Sequence, residues 1–168
     1  MKKNAFALVL LFIIQSVSFA QEVTVASSED LDLKKYKTFM WDSQVNNEME
    51  QGGIYFLDDL VIKSQLRDAL QNKLTDFGYE FDKTNADLTV HFVLFGEKSN
   101  TYNNLPENLV SYKTEPGTLV ISLIDSSNGK VIWQASAEGL QKEEVLKDES
   151  ILKGVVAKVF QQSALAKK

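Results

Sequence analysis

The residues able to do chemistry are few. His91 is the only histidine and there is no cysteine. A Ser-His-Asp arrangement needs one histidine, so composition alone leaves room for it. However, the chain lacks the GxSxG elbow, and His91 falls mid-strand on the more polar face. A lone imidazole also makes a poor transition-metal site without other strong ligands. His91 is expected to be a structural or surface residue. The acid pairs Asp58-Asp59, Glu143-Glu144 and Asp148-Glu149 have the composition of a glycosidase pair. Adjacent acids at helix starts and in polar connections are expected to be solvated charge. No glycine-rich phosphate loop occurs: "EQGGIYF" lacks the lysine and the spacing, and "EPGT" reads as a strand entry. The absence of cysteine rules out disulfides, thiol catalysis, cysteine-ligated zinc and a lipid-modified N-terminal cysteine. No catalytic, cofactor-binding or metal-ligating residue is expected, and the chain is not expected to be an enzyme.

"LIDSSNGKVIWQ", residues 123–134, is the most punctuated stretch. An EF-hand loop starting at Asp125 needs glycine at the sixth position and glutamate at the twelfth. Here Gly129 is fifth and Ser136 is twelfth. The calcium pattern fails, and Asp125 is expected to accept hydrogen bonds from amides of its own turn. Alternation then decides the register. A two-residue Asn128-Gly129 turn would set Leu123 against Gln134 and Ile121 against Ser136. A three-residue loop with a left-handed Gly129 in a bulge sets Leu123 against Trp133, Ile121 against Ala135, Leu119 against Ala137 and Ser122 against Gln134. The bulged turn is the consistent choice, and it sends Trp133 into the core.

These features need elements to hold them. "YKTFMW" (36–41) is rich in β-favouring residues and reads as a strand, and "DSQVNNEMEQGG" (42–53) as a loop. From Phe56 to Phe77 the period becomes helical, with Leu57, Leu60, Val61, Leu66, Leu70, Leu74 and Phe77 apolar and Gly78 as a stop. "GYEFDKTNADLTVHFVLFGE" reads as a short strand, a turn and a long strand. In the long strand Leu88, Val90, Phe92 and Leu94 share one face. Residues 98–116 form the longest irregular segment, of the kind that often carries function. The hairpin follows, then a helix with Ile151, Leu152, Val155, Val156, Val159 and Phe160 in one stripe. The order implies an α+β fold, a mainly antiparallel sheet with two amphipathic helices packed on one face.

Residues 1–20 stand apart. Lys2 and Lys3 precede the apolar run "AFALVLLFII", and Ser18 and Ala20 are the small residues a signal peptidase favours. A spanning helix needs roughly 20 apolar residues, about twice this run. Residues 1–20 are expected to be a signal peptide cut after Ala20, so that no transmembrane segment follows cleavage. Residues 21–168 then form a single domain, with 21–35 a loosely attached N-terminal segment. Losing two lysines and no acid takes the net charge from -5 to -7. That excess repels phosphate backbones, which excludes a nucleic-acid partner, and gives no basic patch for an anionic membrane. The chain is expected to be exported, periplasmic or secreted, and not lipid-anchored through cysteine.

With these segments in place the chain resembles the DUF4136 family of bacterial envelope proteins. The resemblance rests on "YKTFMWD", on "LTDFGYEFDKTNADLTVHF", and on "GTLVISLIDSSNGKVIWQASAEG" followed by the terminal amphipathic helix. It covers most of residues 21–168. Many members look like lipoproteins, and this chain departs from them in having no cysteine. The family brings no catalytic residues to carry over. A non-catalytic binding or assembly-accessory protein is therefore expected, with an envelope protein, peptide or lipid component as partner. Tyr102, Leu105, Leu109 and Tyr112 are the candidate contact residues. The alternatives are a small-ligand or lipid carrier, or a periplasmic hydrolase using His91 or an acid pair.

Overall fold

The computed structural model describes residues 22–27, 31–42, 60–95, 116–141 and 146–162. Six strands form one sheet: β1 (Val23–Ser27), β2 (Thr38–Trp41), β3 (Glu80–Phe81), β4 (Leu88–Leu94), β5 (Leu119–Asp125) and β6 (Lys130–Ala137). Their spatial order is β1-β6-β5-β4-β2-β3. Helix α1 (Leu60–Asp76) lies between β2 and β3, and α2 (Glu149–Gln161) follows β6.

The sheet is mixed, which corrects the expectation of a mainly antiparallel one. The β1-β6, β6-β5 and β5-β4 pairs are antiparallel, but β2 runs parallel to both β3 and β4. The cause is the connection: the chain leaves β2 and returns through α1, and a strand-helix-strand crossover joins parallel strands.

The first sheet face is mostly apolar across β2, β4, β5 and β6. Phe39 and Trp41 stand beside Leu88 and Val90; these adjoin Asp125 and Leu123, and Leu123 adjoins Trp133. Both helices cover this face. Phe160 of α2 stacks on Trp133 with ring centroids 5.4 Å apart and 21° between planes, and Phe77 meets Phe160 at 5.7 Å. Arg67 of α1 lies over the Trp41 ring at 5.3 Å.

Helix α1 buries Ile62, Leu66, Ala69, Leu70 and Leu74. Val61 was expected in that stripe but is 61% exposed, and Ile62 takes its place. Val61 is five residues from Leu66, about 140° away at 3.6 residues per turn, whereas Ile62 is one turn away. The helix closes with Gly78 N–H donating to Thr75 C=O at 2.8 Å and Tyr79 N–H to Leu74 C=O at 3.1 Å, the paired bonds that stop a helix at a glycine. The expected start at Phe56 lies outside the described residues. Helix α2 buries Leu152, Val155, Val156, Val159 and Phe160, and Asp148 caps it by accepting from Ser150 N–H and Ile151 N–H.

The hairpin has the expected register from Leu119↔Ala137 to Leu123↔Trp133. The turn differs. Asp125 pairs with Lys130, four residues close the turn, and the one-residue shift falls between Leu123 and Ile124, leaving Ile132 as the extra residue of β6. Gly129 does adopt the left-handed conformation, with φ +70°. The same register is thus reached with the bulge inside the strand rather than at the turn.

The second sheet face is buried too. His91, Val93, Val120, Ser122, Ile132, Gln134 and Ser136 are all buried, although both helices lie on the first face. His91 pairs with Ser122, and Ser122 with Gln134. Gln134 Nε2 donates to Ser122 Oγ at 2.8 Å.

Candidate functional site

At one end of the sheet β2 and β4 begin and β5 ends, so three strand termini and the hairpin turn converge. Asp125 sits at the centre. It is only 5% exposed. Its Oδ1 accepts from Ser127 N–H at 2.9 Å and from the Ser127 hydroxyl at 2.5 Å. Its Oδ2 accepts from the Tyr36 hydroxyl at 2.8 Å, and Lys35 Nζ lies 3.6 Å away. Its carbonyl accepts from Gly129 N–H at 2.8 Å. The turn role expected for Asp125 is therefore present, joined by a tertiary one.

Tyr36 is delivered by a short 3-10 turn, Leu33–Lys35, whose cap Asp32 accepts from Lys34 N–H. Leu33 and Tyr36 are buried and anchor the turn. Asp87, just before β4, ties the same end together. Its Oδ2 accepts from Lys37 N–H at 2.7 Å and Thr38 N–H at 3.0 Å, while its own N–H donates to Thr38 Oγ1 at 3.0 Å. Its carbonyl accepts from Ser126 N–H, and the hydroxyls of Thr89 and Ser126 lie 3.0 Å apart.

The electrostatics follow from these bonds. The Ser127 and Tyr36 hydroxyls, aided by Ser127 N–H and Lys35, hold the Asp125 carboxyl at about 2 against the opposing effect of burial. The Lys37 and Thr38 amides hold Asp87 below the usual carboxylate range. Burial raises the Tyr36 phenol, and it pushes Tyr79 up to about 12. Lys35 is raised chiefly by its hydrogen bond to Tyr36, and its side chain is 56% exposed.

Two open depressions flank this cluster. One of about 370 Å³ is lined by Asn85, Asp87, Ser126 and Ser127 together with Lys35, Tyr36 and Asp125. The other, about 310 Å³, shares those three residues and adds Leu31, Asn128 and Lys130. The floor is anionic at neutral pH, with Lys35 beside both depressions and Lys130 beside the second. Carboxylates ionised this firmly are poor proton donors or acceptors near neutrality.

His91 is buried in the middle of β4, away from this cluster. Asp148 and Glu149 form the cap and first turn of α2. Asp58-Asp59, Glu143-Glu144 and the candidate contact residues Tyr102, Leu105, Leu109 and Tyr112 lie outside the described residues. Among the described residues no group of three or more His, Cys, Asp or Glu could hold a metal ion, and no helix is long and apolar enough to cross a membrane. The link between Tyr36 and Asp125, 89 residues apart, was not foreseen, because nothing in local sequence announces it.

A six-stranded mixed sheet with two helices against one face defines the class as α+β. The chain belongs to the domain of unknown function family DUF4136, whose model matches residues 23–163. Among solved structures it is similar to a DUF4136 family protein from Bacteroides thetaiotaomicron VPI-5482. That match has 12% identity and a TM-score of 0.57, covering 86% of this chain and 96% of that one. It is also similar to a PDZ domain protein from Parabacteroides distasonis ATCC 8503, at 18% identity and a TM-score of 0.52, covering 84% of this chain and 36% of that one. At these identities the likeness shows the fold alone. No curated protein matches the chain.

Proposed function

We propose that this chain is an exported cell-envelope protein and that its domain acts as a non-catalytic binding or assembly-accessory module. The observation that carries the reading is the Asp125 cluster. The most conspicuous polar residues of the domain are engaged by its own amides and hydroxyls, and the Asp125 carboxyl is held at about 2. Such groups fix a scaffold and do not shuttle protons near neutral pH. Export is supported by the basic start, short apolar run and small residues of positions 1–20, and the lack of cysteine supports a form without a lipid anchor through that residue.

The partner-binding residues of this reading are Tyr102, Leu105, Leu109 and Tyr112, and the partner is an envelope protein, peptide or lipid component. In-cell crosslinking of the tagged protein, with fractionation and sequencing of its N-terminus, tests it. The expected result is a start at Gln21 and capture of a specific envelope component. Replacing the four residues together by serine is expected to abolish capture while leaving the unfolding midpoint within a few degrees. Capture unchanged by that variant, or recovery of nothing from the envelope, overturns the reading.

A further inference from the structure

The two edges of the sheet are built differently. β3 at one edge is two residues long and is followed by Asp82 and Lys83. Short length and charge are the usual protection of an exposed edge. β1 at the other edge has neither: it is five residues, VTVAS, with no charge, proline or glycine. Its inner side is bonded to β6. Glu138 N–H donates to Glu22 C=O at 3.0 Å, and Thr24 and Ala26 follow in the same phase opposite Ser136 and Gln134. In an antiparallel pair the bonded residues alternate. The N–H and C=O groups of Val23, Val25 and Ser27 therefore point out of the sheet, and no described strand pairs with them.

We propose that this edge pairs with the β1 edge of a second copy of the chain, antiparallel, about a two-fold axis through Val25. The outward-pointing groups recur at 23, 25 and 27 and are symmetric about 25. With Val25 opposite Val25 and Val23 opposite Ser27, all of them are used, giving roughly six backbone hydrogen bonds. Thr24 then meets Ala26, so no side chain on either face opposes a like charge. Glu22, the nearest acid, stands three residues from the axis and well away from its own copy. Val23 and Val25 are only half-buried, and pairing extends the apolar face they share with Ala137 and Ala135. The contact uses the same patch on both copies, so it closes as a dimer. β3 is too short to accept β1 in a head-to-tail chain. An edge of this length buries less than a standard interface, so the dimer is weak, in the micromolar range. None of the residues of the Asp125 cluster takes part, and the inference is independent of the proposed function.

The absence of cysteine makes the test direct, because one introduced cysteine can crosslink only to another copy. Val25→Cys is expected to form a disulfide dimer on mild oxidation, since the paired Cα atoms would be about 5.5 Å apart. Val23→Cys alone is expected to form no disulfide dimer, its copies being offset by four residues, about 13 Å. Val23→Cys mixed with Ser27→Cys is expected to give the mixed dimer. Failure of Val25→Cys to crosslink, or equal crosslinking by Val23→Cys alone, overturns the proposal. Sedimentation equilibrium gives a second measure. Val25→Pro removes an outward N–H that β6 does not use, so its far-UV circular dichroism should match the parent while its dimer dissociation constant rises at least tenfold. A parent chain that is monomeric up to high micromolar concentration, or that forms open-ended oligomers, also overturns it.

Discussion

Replacing Asp125 by asparagine keeps the shape of the side chain and removes its charge. The carboxyl is lowered from 3.8 to about 2 in the folded chain, which corresponds to about 2 kcal/mol of stability at neutral pH. The sign follows from the direction of the shift. A depressed folded-state value means that the stabilisation is fully present above the unfolded-state value, near pH 4, and is lost as pH falls toward 2. At about pH 3 roughly half of it remains. Asparagine can still accept from Ser127 N–H, but its amide group then faces the Tyr36 hydroxyl or the Lys35 ammonium, where an anion stood. The variant is therefore expected to be less stable by about 2 kcal/mol at pH 7 and by about 1 kcal/mol at pH 3. Urea unfolding followed by tryptophan fluorescence at the two pH values measures both. A deficit of equal size at pH 7 and pH 3 would show that the loss is one of packing and that the charge-assisted bonds are not its source. A variant as stable as the parent at pH 7 would remove the cluster from the account of the fold altogether.

Trp133→Ala deletes a fully buried ring stacked on Phe160 and is expected to cost about 3–5 kcal/mol, read as a fall in the denaturant midpoint. Gly117→Ala is expected to cost more than about 2 kcal/mol: φ is +80°, and the new Cβ would sit 2.6 Å from the Gln141 backbone nitrogen. Gly129→Ala serves as its control. With φ +70° and open space around it, it should cost only about 1 kcal/mol in the same thermal melts. Asp148→Ala removes the acceptor for Ser150 and Ile151 amides at the start of α2. It should lower the melting temperature by a few degrees and raise amide hydrogen exchange in that first turn before it does so elsewhere.

What the sequence made legible was whatever is repeated locally. The apolar stripe of α2 and the alternation of β5 and β6 recur at short spacing, so the stripe, the register and the burial of Trp133 could be read directly. The hairpin's bulge was displaced because alternation constrains pairing only, and a bulge at Ile132 yields the same pairing as one at the turn. The parallel placement of β2 was missed because a strand's direction is set by its connection and not by its own residues. Its β-favouring residues read the same in either direction. The Tyr36–Asp125 and Thr38–Asp87 bonds were missed because they join segments far apart in sequence. One signal was available and unused. The runs "HFVLF" and "LVISLI" are nearly continuous in apolar character, which marks strands covered on both faces, and β4 and β5 are buried on both.

That two-sided burial explains why polar residues stand where a purely hydrophobic sheet would be more stable. A slip of one residue between β5 and β6 would exchange the faces of β6 and bring Gln134 against the valines of α2. There its amide would lose the bond to Ser122 and be left among apolar side chains, at a cost of about 1–3 kcal/mol. Trp133 would at the same moment leave Phe160. Large apolar residues on one face and Gln134, Ser122 and Ser136 on the other thus oppose the same error from two directions. The row is not fully satisfied: Gln134 Oε1 and Thr118 Oγ1 are buried without a hydrogen-bond partner among the described residues. Its contribution therefore lies in excluding the wrong register more than in lowering the energy of the right one. The Asp125 cluster works in the same sense at the end of the sheet, since only the observed register brings Asp125 beside Leu88 and under the Tyr36 hydroxyl. The polar residues that first invite a chemical reading are, in this fold, the ones that specify it.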